Sequence, residues 1–225
     1  MLRVVQRPSP NFNERVGEGV PDILLMHYTG MQSCEAAVQR LTDPAARVSS
    51  HYTIDEDGTV YVHVDESLRA WHAGVSHWRG ETDINSRSIG IEIVNPGHEF
   101  GYRAFPDVQI EAVIELSKGI LSRHRIPPRN VIGHSDVAPV RKEDPGELFD
   151  WPGLAAAGIG LWPASKPAPL DAEQFFAGLA EYGYDIADRA AVTRAFCRHF
   201  RPRNIADAPD AEVMGILAGL LAMVK

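Results

Sequence analysis

Apolar and polar positions alternate along the chain in two periods that separate strands from helices. Ile23-Leu24-Leu25-Met26-His27-Tyr28 is a continuous apolar run closed by Thr29-Gly30, which predicts a buried strand. Ser33 to Leu41 reads as a helix. The segments 51–54 and 59–64 flank Asp55-Glu56-Asp57-Gly58, a hairpin signal. Ser88 to Asn95 predicts a second strand, with Ile89, Ile91 and Ile93 on one face and Glu92 on the other beside Gly90. Ile110, Val113, Ile114, Ser117 and Leu121 recur at helical spacing after Asp107, a capping residue, and the helix must stop before Pro127-Pro128. Val131-Ile132-Gly133 is a short strand. This alternation predicts an α/β domain.

The pattern changes after Trp162. Residues 163–170 read as a stiff Pro/Ala linker between an α/β domain, residues 1–162, and a small helical domain, residues 171–225. Asp171 and Gln174 match a capping box for a helix ending near Gly183. A second helix spans Arg189 to Phe200, and a third starts after Asp210. The apolar stripe from Val213 to Val224 is too short to cross a bilayer and predicts a helix buried in this bundle.

Charge and cysteine narrow the classes. The 225 residues carry 22 Lys and Arg against 30 Asp and Glu, a formal net charge of -8. A phosphate-tracking surface needs the opposite balance, which argues against nucleic acid as a partner and against a metal nuclease. Cys34 and Cys197 form neither a disulfide framework nor a thiolate metal site. Met1 to Pro8 has no apolar core of a signal peptide, and no early cysteine offers a lipid anchor, so the expectation is a cytoplasmic protein without a membrane anchor. The oligomeric state is left open.

Four polar residues sit at the edges of apolar strands or just beyond them: His27, Glu92, His134 and Asp144, with Lys142 two residues before Asp144. Two histidines and an aspartate suit Zn2+, and three protein ligands leave a fourth position free, as in catalytic sites. Such chemistry needs a carboxylate to move a proton and a cation beside a developing oxyanion, roles open to Glu92 and Lys142. Spacing alone is equally compatible with satisfied core or surface groups. Trp71 and His72 can line a cleft floor or pack a loop. His51 is a structural histidine or a substrate contact. Asn85 and Arg87 either meet substrate carboxylates or are ordinary surface groups.

The local strings bear on the choice. Leu25-Met26-His27-Tyr28-Thr29, Ala70-Trp71-His72-Ala73-Gly74, Ser88-Ile89-Gly90-Ile91-Glu92-Ile93-Val94-Asn95 and the segment from Gly133-His134-Ser135-Asp136 through Lys142-Glu143-Asp144-Pro145-Gly146 occur in that order. Together they resemble the zinc N-acetylmuramoyl-L-alanine amidases of the amidase 2 family, the AmpD/AmiD type. Phage T7 lysozyme and the animal peptidoglycan recognition proteins are more distant likenesses. The resemblance runs from His27 to Trp151. It implies a mixed, mostly antiparallel central sheet flanked by helices. It puts His27, His134 and Asp144 at the zinc, Glu92 as acid/base and Lys142 at the oxyanion. T7 lysozyme-like relatives have cysteine where Asp144 stands. The strings around Leu179–Asp185 and Ala195–Pro202 resemble a peptidoglycan-binding-like helical domain of the AmiD type.

The expected activity is hydrolysis of the amide between N-acetylmuramic acid, in its 1,6-anhydro form, and L-alanine of peptidoglycan stem peptides during cell-wall recycling, with soluble muropeptides as partners. The rival is a zinc-free muropeptide-sensing module of the recognition-protein type. A complete ligand set with Glu92 and Lys142 present favours the enzyme.

Overall fold

The computed structural model describes residues 2–17, 19–166 and 171–224. In chain order its strands are β1 (Val4–Gln6), β2 (Phe12–Glu14), β3 (Ile23–Tyr28), β4 (Tyr52–Ile54), β5 (Val60–Val62), β6 (Leu68–Ala70), β7 (Ser88–Ile93) and β8 (Val131–Gly133). The helices are α1 (Cys34–Thr42), α2 (Ile84–Arg87), α3 (Gly97–Phe100), α4 (Asp107–Arg123), α5 (His134–Val137), α6 (Trp151–Ala156), α7 (Ala172–Tyr182), α8 (Arg189–Phe200) and α9 (Ala211–Met223).

Local signals account for most of these boundaries. Ser33 caps α1 by accepting from the Ala36 amide at 3.2 Å. Asp171 and Gln174 exchange both capping-box hydrogen bonds at the start of α7, which ends at Gly183 with φ 145°. Asp188 and Asp210 cap α8 and α9. One cap differs from expectation: Asp107 is the first helical residue of α4, and Pro106 occupies the cap position.

The main sheet has six strands in the order β1-β5-β4-β7-β3-β8, and β2 pairs with β6 apart from it. The sheet is mixed, but the expectation that it is mostly antiparallel is corrected. Among the described strands only β4 and β5 pair antiparallel within it, across the Asp55–Gly58 turn; β1-β5, β4-β7, β7-β3 and β3-β8 are parallel. The physical reason is that β3, β7 and β8 are separated by helical crossovers, which a parallel pairing requires. Their near-continuous apolar runs fit burial on both faces.

Alternation along β3 and β7 sends two side-chain sets to opposite faces. Leu24, Met26, Ile89, Ile91 and Ile93 pack with Val113, Leu116 and Ile120 of α4. Ile23 and Leu25 share an apolar cluster with Trp78, Ile132 and the bundle residues Phe175, Leu179, Phe196 and Leu217. The three C-terminal helices form as the sequence predicts, yet they build one core with the sheet. The Pro163–Lys166 segment runs against α9, where the Lys166 amide donates to the Gly215 carbonyl at 3.0 Å. The rest of the Pro/Ala stretch, residues 167–170, lies outside the described residues. Within those residues no helix is long and apolar enough to cross a membrane.

Candidate metal centre and cleft

Parallel pairing brings the chemistry together. The ends of β7, β3 and β8 lie side by side, and ligands in open α/β sheets bind beyond the carboxyl ends of parallel strands. His27 and Glu92 are register partners across β3 and β7, so they share a face. His134 follows β8 and opens α5. Asp144 returns from the following loop, where the Ser135 amide donates to the Asp144 carbonyl at 2.9 Å.

The donor atoms form a triangle. His27 Nδ1, His134 Nδ1 and Asp144 Oδ2 lie 3.0 Å from one another on all three edges, and all three residues are buried. Among the described residues these three make the group whose donors converge closely enough to hold a metal ion.

Hydrogen bonds around the triangle set the tautomers. His134 Nε2 lies 3.0 Å from the Ala73 carbonyl oxygen, which only accepts, so the proton of neutral His134 sits on Nε2 and Nδ1 presents a lone pair. His27 is set by a longer relay. Ser88 Oγ donates its single proton to the Ile84 carbonyl at 2.7 Å, so it accepts from His72 Nε2 at 3.3 Å. His72 Nδ1 is then an acceptor and takes the proton of His27 Nε2 at 3.0 Å. His27 Nδ1 is therefore also a lone pair. Two imidazole lone pairs and a carboxylate oxygen 3.0 Å apart repel unless a cation lies between them, which is the condition a metal ligand set meets.

The neutral state of His27 has a second support. Burial, with the nearby His134, lowers its pKa to about 4. Glu92 shifts the other way. One of its carboxylate oxygens is enclosed without a hydrogen-bond partner. Burial first, and the Asp144 carboxylate second, push its pKa well above the usual carboxylate range, while Lys142 opposes the shift. Lys142 lines the same cleft as the donors and Glu92.

These groups open into a cleft of about 840 Å3, walled by Tyr28, Arg40, Trp71, Phe100 and Lys142. Of the expected substrate contacts, Trp71 and His72 line it. Trp71 is held by its indole N–H donating to Asn13 Oδ1 at 2.7 Å. His72 serves mainly as the relay, and Gly90 makes that possible: a Cβ there would lie 2.6 Å from the His72 ring.

The other three residues do not line the cleft. His51 is fully buried behind His72, its Nδ1 accepting from the Gly90 amide at 3.0 Å, so it is structural. Asn85 accepts from the His72 and Ala73 amides at 3.0 and 2.8 Å and fixes the loop that carries His72. Arg87 is paired with Asp22, Nε to Oδ1 at 2.9 Å, away from the cleft. Tyr28 and Arg40 in the walls carry no sequence signal of that role beyond the position of Tyr28 next to His27. Arg40 faces the cleft because of how α1 docks, which no local pattern encodes.

The chain belongs to the N-acetylmuramoyl-L-alanine amidase family, whose model matches residues 17–147. It is an enzyme of that class, with an α/β fold of the kind its relatives share. It is 37% identical to the N-acetylmuramoyl-L-alanine amidase AmiD of Escherichia coli, over 88% of this chain and 82% of that one. It is 32% identical to the 1,6-anhydro-N-acetylmuramyl-L-alanine amidase AmpD of the same organism, over 64% of this chain and 86% of AmpD. Among solved structures it is similar to AmiD from E. coli in complex with the substrate anhydro-N-acetylmuramic acid-L-Ala-D-gamma-Glu-L-Lys: TM-score 0.82, 34% identity, 95% of this chain and 98% of that one. It is also similar to AmpDh3 from Pseudomonas aeruginosa in complex with anhydromuramic pentapeptide: TM-score 0.83, 35% identity, 92% and 93% covered.

Two expected results arise from this geometry. Replacing His72 by phenylalanine fills the same space without the acceptor for His27 Nε2–H. Affinity of the triangle for a divalent metal ion should fall about 10–100-fold with secondary structure intact, as when the hydrogen-bond partner of a metal-binding histidine is removed. Chelator competition measures it, and parental affinity would remove the relay from the account. The second concerns acid. His27 at about 4, His51 at about 3, where burial and then the Arg15 charge depress it, and the buried His72 all titrate below the unfolded value. Between about pH 6.5 and 4 the unfolded chain binds protons that the folded chain refuses, so stability present above pH 6.5 is lost as pH falls, by about 1 kcal/mol per pH unit for each histidine. Urea unfolding of the metal-free protein from pH 7.5 to 5 should show a falling midpoint. A flat profile contradicts the neutral burial of these rings.

Proposed function

We propose that this enzyme hydrolyses the amide between the lactyl group of N-acetylmuramic acid, in its 1,6-anhydro form, and L-alanine of peptidoglycan stem peptides, in cell-wall recycling. The observation that carries this reading is the convergence of two imidazole lone pairs, the Asp144 carboxylate, Glu92 and Lys142 in one cleft. The zinc-free sensing reading has no use for such a set. The likeness to AmiD and AmpDh3, both solved with anhydromuramyl peptides, supports the substrate class.

His27, His134 and Asp144 are the residues that would hold zinc. Donors at the corners of a tetrahedron with bonds of about 2.0–2.2 Å stand about 3.3–3.6 Å apart, and the triangle edges of 3.0 Å are shorter by a few tenths of an ångström. Bound there, zinc polarises a carbonyl and makes water acidic enough to attack at neutral pH. Glu92 accepts the proton of the attacking water and passes it to the departing alanine nitrogen. Its raised pKa makes it a stronger base toward the attacking water, and the departing amine, more basic still, takes the proton from it. Lys142 offsets the negative charge that grows on the carbonyl oxygen. Tyr28 and Trp71 form walls against which the muramyl residue and stem peptide lie.

We propose the cytoplasm as the place of this reaction, in keeping with the recycling of soluble fragments. Fractionation of the native protein tests the place.

The decisive assay incubates the purified enzyme with anhydro-muropeptides and, in parallel, with intact sacculi, and identifies products by mass. Release of free stem peptide beginning with L-alanine, faster from the soluble fragment, is the expected result. A clear preference for sacculi overturns the recycling assignment, and unchanged fragments overturn the activity. Lys142→Ala should lower kcat with little change in KM, as for a group acting in the transition state. An effect confined to KM would recast Lys142 as a ground-state contact.

A further inference from the structure

The loop that carries Lys142 and Asp144 has little regular structure between α5 and α6, yet one of its residues must complete a metal triangle. Its supports come from α8 and from the turn before it. Asp136, two residues beyond His134, is fully buried and accepts three hydrogen bonds of 2.7 Å: from the Gly133 amide, the Tyr184 hydroxyl and His199 Nδ1. Two of those three donors belong to the helical unit. A carboxylate so deep is tolerated only when its oxygens are satisfied by such donors.

The second support flanks Asp144. Arg198 Nη2 donates to Glu143 Oε1 at 3.0 Å, and its Nε lies 3.8 Å from Glu147 Oε2. From the other side His98 Nε2 lies 3.1 Å from Glu147 Oε2. The guanidinium is itself buried, with 8% of its side chain exposed. His199, the next residue, also stacks on Trp151 with ring centroids 3.9 Å apart. Consecutive residues of α8 thus hold the loop beside Asp144, through Arg198, and at its two ends, through His199.

Among the described residues the helical unit presents no exposed aromatic ring to a sugar. Its six aromatic residues, Phe175, Phe176, Tyr182, Tyr184, Phe196 and Phe200, are each 5% exposed or less, so none is free to stack on a glycan ring.

We propose that the C-terminal helical unit is a brace for the metal loop, with Tyr184, Arg198 and His199 as positioning residues that set where Asp144 and Lys142 stand. The proposal rests on the roles assigned to those two residues above. Displacements of about 1 Å at a reacting centre cost on the order of 100-fold in rate, so a loop of this kind repays rigid support.

The test uses the full-length zinc enzyme. Arg198→Met should lower kcat about 10-fold with KM within about twofold, and Arg198→Lys should retain most of the activity. In a Lys142→Ala background the same Arg198→Met change should cost clearly less than 10-fold, because one of the two residues it positions is already gone. Tyr184→Phe deletes one hydrogen bond to Asp136 without altering shape, and should weaken zinc about 10-fold in chelator competition. Parental kcat in Arg198→Met, a full additional loss in the Lys142→Ala background, or parental zinc affinity in Tyr184→Phe overturns the brace. Zinc affinity reads the brace without catalysis. A parent enzyme that binds zinc but leaves muropeptides intact therefore counts against the amidase reaction alone, and the brace still stands or falls on the Tyr184→Phe affinity.

Discussion

Glu92→Gln should retain zinc and the folded state and lose about 100- to 10,000-fold in turnover, the range for removing a positioned acid–base group. The substitution is close to isosteric and neutral. Glu92 also has an enclosed oxygen with no partner, so no hydrogen bond to that atom is lost. The pH profile adds a second readout. Burial and Asp144 raise the Glu92 pKa, and only the ionised carboxylate accepts a proton. Activity of the parent should therefore fall on the acid side at a pH above the ordinary carboxylate range. In Glu92→Gln the residual activity should lack that limb. Near-parental turnover in the variant would assign the proton transfer to another group.

Chelation should abolish activity, and one equivalent of zinc per chain should restore it. The basis is the triangle of two lone pairs and a carboxylate with 3.0 Å edges, which has no protons of its own to relieve the repulsion. His27→Ala removes one corner and also the partner of His72. Its zinc affinity should fall by more than the about 10–100-fold expected of an outer-shell change, with activity lost in parallel. Elemental analysis and chelator titration measure the first, and the muropeptide assay the second. Full activity in a metal-free protein would dismantle the proposed mechanism.

The positions of individual elements could be read from the chain because their causes are local. The apolar run of β3, the Asp55–Gly58 turn and the caps Ser33, Asp171, Asp188 and Asp210 each act within a few residues. The same holds for the strings containing His27, Glu92, His134, Lys142 and Asp144, whose order marks the family without any knowledge of contacts.

What lay beyond the chain's local patterns is neighbourhood. Nothing within β3, β7 or β8 states that they pair in parallel, so the expected mostly antiparallel sheet was wrong; pairing follows from long-range crossovers. His72 and His51 carry the same side chain, yet one relays a proton position to a metal ligand and the other is a buried acceptor for Gly90. Arg87 and Arg198 are equally uninformative in sequence. Asp22 captures the first away from the cleft, and Glu143 holds the second beside it. An imidazole or guanidinium takes its role from the partners that folding brings within about 3 Å, and those partners lie tens of residues away along the chain. Sequence periodicity does not reach that far, so the candidate ligands and the elements were readable one by one, while the relay and the contacts behind the proposed brace arise only in the packed molecule.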